Sequence, residues 1–154
     1  MAIFISHSPA ETQALAEAWG RKAEPGLVVG LTGELGAGKT QVVKGLARGL
    51  GITARVRSPT FNLVLSYAGG RLPLFHIDLY RLETAQQIAA AGLEEYLHSK
   101  GITVVEWAER WAALSEAAGA GRCVTRLSEP RLLSARLEIL GETERRITYE
   151  DTGA

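Results

Sequence analysis

Two continuous apolar runs, Leu27-Val28-Val29-Gly30-Leu31 and Ile102-Thr103-Val104-Val105, have the length and composition of strands buried on both faces of a sheet. Around them the hydrophobic period changes. Leu15, Ala18 and Trp19 recur at helical spacing, predicting a helix over 9–23. Ser8-Pro9-Ala10-Glu11 supplies its start, with Ser8 as cap, Pro9 in the first turn and Glu11 closing a capping box. Pro25-Gly26 ends that helix and leads into the first apolar run. Val42, Val43, Leu46, Ala47 and Leu50 mark a second helix, and Gly51 stops it.

Further along, the strand-like runs 62–67 and 72–78 flank Ala68-Gly69-Gly70-Arg71 and read as an antiparallel hairpin. Thr84 caps a short helix carrying Ile88, and 93–98 adds another helical turn or two. The segment 108–118 reads as a helix, and 119–130 as a loop without periodicity. The runs 131–140 and 145–150, split by Gly141-Glu142-Thr143-Glu144, predict a second hairpin. A strand over 3–6 opens the chain and 151–154 reads as a frayed tail. The sum is an α/β architecture: a mixed, partly parallel sheet flanked by helices, with antiparallel hairpins.

Composition narrows the setting. At 154 residues the chain reads as one domain, and 46% apolar with 22% charged residues is ordinary for a globular protein. Seventeen Lys plus Arg balance seventeen Asp plus Glu, which argues against a large independent nucleic-acid footprint. The single cysteine, Cys123, excludes an intrachain disulfide framework and points to a reducing compartment. No basic-then-apolar start and no run of membrane-spanning length is present, so a cytoplasmic protein is expected.

The chemistry gathers between the first apolar run and the second helix. Gly33-x-x-x-x-Gly38-Lys39-Thr40 fits the phosphate-binding loop pattern in its required strand–loop–helix context. Gly33, Gly36 and Gly38 permit backbone angles that turn successive N–H groups inward as an anion nest. The nest opens on a helix N-terminus, whose free donors and dipole favour phosphate. Lys39 would reach the outer phosphates and Thr40 would offer its hydroxyl to Mg²⁺. A plain Gly-rich turn would not require Lys-Thr after the glycines.

Two strand-end carboxylates complete the candidate set. Glu106 ends the second apolar run, where ligands bind in open α/β sheets, and is the best second metal anchor. Asp78 ends Leu74-Phe75-His76-Ile77 and could orient water or accept a proton; a turn or cap aspartate is the other reading. His76 alternates with Asp78, so both share a strand face, and it reads as a structural hydrogen-bonding residue. Thr60, after Pro59, lies where many P-loop proteins carry a loop that senses the terminal phosphate. Trp107 either packs near the nucleotide or is a core residue. The absence of an Asn-Lys-x-Asp element favours adenine over guanine.

Four motifs, in order and at these distances, together resemble the TsaE (YjeE) family: Gly33-Glu34-Leu35-Gly36-Ala37-Gly38-Lys39-Thr40, Ser58-Pro59-Thr60-Phe61, His76-Ile77-Asp78-Leu79-Tyr80-Arg81, and Glu106-Trp107. The resemblance implies a single P-loop ATPase domain over 1–154 with an unusual strand order. It implies a part in making threonylcarbamoyladenosine in tRNA, beside the anticodon. The implied partners are the TsaB–TsaD pair, with tRNA met only through that complex. Carried over residue by residue, Gly36, Ala37, Gly38, Lys39, Thr40 and Gln41 would hold the phosphates of ATP. Thr40 and Glu106 would bind Mg²⁺, and Thr12 and Trp107 would approach the nucleotide. Asp78 and Lys39 would serve hydrolysis, with Thr60 in a switch-like loop. Gln41 departs from the family's usual second Thr or Ser, and 114–130 is longer and less regular than expected. Two alternatives stand beside the ATPase: a nucleotide-dependent assembly module, and a small-molecule kinase, which lacks the expected Arg-rich lid.

Overall fold

The computed structural model describes residues 1–57, 59, 63–111 and 131–151. Seven strands form one mixed sheet: β1 (Ala2–Ser6), β2 (Leu27–Thr32), β3 (Val64–Tyr67), β4 (Leu74–Asp78), β5 (Ile102–Glu106), β6 (Arg131–Ile139) and β7 (Arg145–Asp151). Their order is β1-β7-β6-β2-β5-β4-β3. Strands β6, β2, β5 and β4 run parallel, while β3, β7 and β1 add antiparallel pairs at the two sides. Both expected hairpins form, as β3–β4 and β6–β7.

The continuous apolar runs occupy the middle of this sheet because both of its faces are covered. Alternate residues of β2 enter opposite cores: Val29 and Leu31 pack on one side, Val28 on the other. The first side is covered by α1 (Pro9–Lys22) and α2 (Lys39–Gly49), whose apolar faces bury Ala16, Val42, Val43 and Leu46. The second is covered by α3 (Ala85–Ala90) and 3₁₀ turns at Leu93–His98 and Ala108–Arg110, bringing Ile88, Leu93, Leu97 and Trp111 onto Val105 and Ile77. Ser8 caps α1 by accepting from the Glu11 N–H, and Thr84 with Gln87 forms a full capping box on α3.

Two expectations are corrected. The helix over 108–118 does not start as one. Trp107 adopts a left-handed backbone (φ 61°), one 3₁₀ turn follows, and Trp111 is already extended; 112–118 and the expected loop 119–130 lie outside the described residues. Asp151 is not part of a frayed tail. It closes β7 opposite Leu133, and its carboxylate accepts from the Arg131 guanidinium at 2.8 Å.

Candidate functional site

Three parallel strands end side by side, and the site is built on their carboxyl ends. In the β4–β5 ladder Asp78 stands opposite Glu106; in the β5–β2 ladder Glu106 stands opposite Leu31, directly before the Gly-rich loop. The strand pleat puts Glu106 on the same face as Ile102 and Val104, and Asp78 on the same face as Leu74 and His76. That is the face covered by α2. Sequence-distant carboxylates therefore meet the phosphate loop because the strand order inserts β5 between β2 and β4.

The loop has the backbone its glycines allow. Gly33, Gly36 and Gly38 take φ of 143°, 83° and 103°. A Cβ on Gly33 would meet the Leu137 carbonyl oxygen at 2.6 Å, so the loop can lie against β6 only with glycine there. Nothing lies within 4 Å of where a Cβ on Gly36 would be. Residues Gly36, Gly38, Lys39, Thr40 and Gln41 line a cavity of about 430 Å³, together with Thr12, Asp78, Glu106 and Trp107. Ala37 is not among the lining residues: its side chain is buried and its N–H donates to the Glu34 carbonyl at 3.0 Å. Thr60 lies outside the described residues, although Pro59 beside it lines the cavity.

Lys39 is 5% exposed. Its ammonium donates to the carbonyls of Gly33 (2.5 Å) and Glu34 (2.9 Å) and lies 4.1 Å from the centre of the Trp107 ring. Burial pushes its pKa down, against the pull of Glu106, then Glu109 and Asp78. Burial also pushes the Asp78 carboxyl up; the N–H of Tyr80, donating at 3.0 Å, opposes this and the nearby Glu106 charge adds to it. Thr12 is buried, and its hydroxyl sits 2.7 Å from Ser6 Oγ. Ser6 spends its single hydroxyl proton on the Ser8 carbonyl, so Thr12 must donate to Ser6 and keeps only acceptor capacity for the cavity. The Gln41 side chain accepts through Oε1 from Gln13 of α1 at 2.7 Å, and its backbone N–H lies in the first turn of α2.

Several lining residues carried no functional signal in the sequence. Glu142, Thr143 and Arg145 come from the β6–β7 turn, more than a hundred positions after the loop. Arg145 ties that turn to the loop: its guanidinium donates to Gly141 and Glu144 of the turn and to the Gly36 carbonyl at 3.2 Å. Ser8, recognisable only as a helix cap, also faces the cavity; so do Leu35, Tyr80 and Arg81, which the sequence showed only as members of the motifs. Among the described residues no three His, Cys, Asp or Glu are grouped so that they could hold a metal ion by themselves. The cavity is lined by hard oxygen donors, among them the Thr40 hydroxyl and the Glu106 carboxylate. That set fits Mg²⁺, which takes few protein ligands and completes its shell with phosphate and water. The glycine-lined nest with a buried lysine fits a polyphosphate.

Comparison with known proteins agrees with this geometry. Residues 6–132 match the family model "Threonylcarbamoyl adenosine biosynthesis protein TsaE". The chain is 41% identical over 150 residues to the tRNA threonylcarbamoyladenosine biosynthesis protein TsaE of Bacillus subtilis, covering 95% of this chain and 83% of that protein. The protein of the same name from Treponema pallidum is 45% identical over 109 residues, covering 71% and 80%. The crystal structure of Bacillus subtilis YdiB superposes with a TM-score of 0.73 at 36% identity, covering 96% of this chain and 83% of that one. The strand–loop–helix, the two strand-end carboxylates and this match over most of the chain make it a member of the TsaE family.

Proposed function

We propose that this protein binds and hydrolyses MgATP in support of threonylcarbamoyladenosine formation in tRNA. One observation carries the reading: the phosphate loop, Thr40, Asp78 and Glu106 line the same cavity at the ends of adjacent parallel strands. In it, the backbone N–H groups at the start of α2 and the Lys39 ammonium hold the phosphates. Thr40 and Glu106 hold Mg²⁺, which when bound supplies charge stabilisation at the phosphates. Asp78 orients the attacking water and takes its proton; burial raises its affinity for that proton above that of an exposed aspartate. Thr12 and Trp107 border the nucleotide, and Thr60 belongs to the loop that senses the terminal phosphate. A single P-loop ATPase domain acting in the cytoplasm with the TsaB–TsaD pair is the setting this reading requires; tRNA is then met through that pair. No helix among the described residues is long and apolar enough to cross a membrane.

The test is phosphate release and tRNA modification, with and without the TsaB–TsaD pair, for wild type and Asp78→Ala. The variant is expected to bind ATP and to lose hydrolysis by about 10²–10⁴-fold, with modification ceasing to turn over repeatedly. If modification cycles normally with hydrolysis gone, ATP binding alone is the function and the protein is an assembly module. A phosphorylated small-molecule product would favour a kinase.

A further inference from the structure

Among the described residues one buried side-chain polar atom has no hydrogen-bond partner: Nδ1 of His76. His76 sits fully buried within β4. Its other ring nitrogen, Nε2, lies 2.5 Å from Oε2 of Glu106, itself 4% exposed. The contact crosses from β4 to β5 and advances one pleat step along them. His76 pairs with Val104 in the ladder, whereas Glu106 pairs with Asp78. Glu106 lines the cavity and His76 does not.

The two nitrogens decide the tautomer. A neutral imidazole has one donor and one acceptor. A proton on Nδ1 would leave a buried donor unpaired and would aim the Nε2 lone pair at a carboxylate oxygen. A doubly protonated ring would also leave a buried Nδ1–H unpaired. With the proton on Nε2, the ring donates to Glu106 and leaves only an acceptor lone pair unmatched, the smallest of these costs. Through Nε2–H, His76 can hold the Glu106 carboxylate.

We propose that His76 is a positioning residue: its Nε2–H pins Oε2 of Glu106 and so keeps the carboxylate's other oxygen, Oε1, available to magnesium in the cavity. This rests on the reading that Glu106 holds Mg²⁺. A glutamate has three side-chain torsions, and without the pin the carboxylate is free to turn toward the Lys39 ammonium, on which it already acts. A stiff ring anchored in a strand removes that freedom. Partners of metal-binding carboxylates typically contribute 10–100-fold in metal affinity.

The test compares wild type, His76→Gln, His76→Phe and Glu106→Gln. The Gln amide nitrogen can occupy the place of Nε2 and keep a donor, whereas Phe keeps the ring volume without one. Mn²⁺ affinity is measured by electron paramagnetic resonance in the presence of a non-hydrolysable ATP analogue. Affinity for the same analogue in EDTA is measured alongside. His76→Phe is expected to lose 10–100-fold in Mn²⁺ affinity while binding the analogue in EDTA within about twofold of wild type. His76→Gln is expected to recover most of the loss. Equal Mn²⁺ affinities for wild type and His76→Phe would overturn the proposal, and so would equal losses in the Phe and Gln variants. Unchanged Mn²⁺ affinity in Glu106→Gln would instead remove the metal reading of Glu106 on which the proposal stands. A measurement on wild type needs no variant to fold: ¹⁵N-histidine spectra should show His76 protonated at Nε2 and bare at Nδ1. The opposite tautomer would overturn the proposal.

Discussion

Lys39 answers to two demands. In the proposed function its charge is required at a phosphate, yet it is 5% exposed, and an ammonium so far out of water must be paired. The loop supplies the pairing from its own backbone, through the Gly33 and Glu34 carbonyls, and Trp107 lays its ring over the charge. Trp107 does so from a left-handed backbone, which costs a bulky residue about 1–3 kcal/mol. Strain of that size persists where the surroundings hold it, here Tyr80 and Arg110 against the same ring. Lys39→Ala should lower ATP affinity by about 10–100-fold, as loss of a charged hydrogen bond does. Isothermal calorimetry checks this, with circular dichroism to confirm the fold; unchanged affinity would remove the phosphate-loop assignment. The role of Lys39 is legible in the sequence because the motif is local. The ring above it is not, because a positive φ at tryptophan has no signature in composition or period.

At the scale of elements, the helix pair α1–α2 explains glycines that look misplaced. Gly49 ends α2 and Gly45 lies inside it, where a glycine costs about 1 kcal/mol against alanine in an isolated helix. A Cβ on Gly45 would sit 2.3 Å from the Gln13 carbonyl oxygen and one on Gly49 would sit 2.2 Å from that of Glu17. The helices cross closely enough that only glycine fits. Gly45→Ala should therefore destabilise the protein by about 1–3 kcal/mol despite its better propensity; Gly141→Ala, with no atom closer than 3.9 Å, should be near neutral. Urea unfolding midpoints decide it, and a stabilised Gly45→Ala would refute the close crossing. On the β6–β7 hairpin, Glu138 accepts two hydrogen bonds from the facing Arg146, both at 3.1 Å. These hold its pKa below the ordinary 4.5. The folded chain thus binds that proton less readily than the unfolded one. The stabilisation is present above 4.5 and is lost as pH falls through the lowered value. Glu138→Gln should show a small loss of stability near neutral pH that disappears in strong acid. A pH-independent loss would mean packing, not charge, is responsible. The period-3.6 pattern shows that each helix has a buried face, but not which helix covers which; the glycine spacing becomes meaningful only once α1 and α2 are seen together.

Across the whole molecule, the site draws on the α1 start, the phosphate loop, the ends of β4 and β5, and the β6–β7 turn. The order β7-β6-β2-β5-β4 makes these neighbours. By itself the sequence determined whatever depends on near neighbours along the chain. The buried central strands show as unbroken apolar runs, the caps as Ser8 and Thr84, the phosphate loop as glycines before Lys39-Thr40. Asp78 and Glu106 stand out because a carboxylate after an apolar run must sit at a strand end. Only the tertiary structure decided what depends on strand order and register. It set Asp78 beside Glu106, brought Arg145 to Gly36 across more than a hundred residues, and closed His76 onto Glu106 with its second nitrogen unpaired. It also ended the expected helix after one 3₁₀ turn, with Trp111 already extended. The physical reason is the range of the forces. Propensity, capping and local nests act over a few residues and leave a pattern in the sequence. Strand pairing and burial join distant segments, whose mutual geometry exists only when the sheet has closed its core.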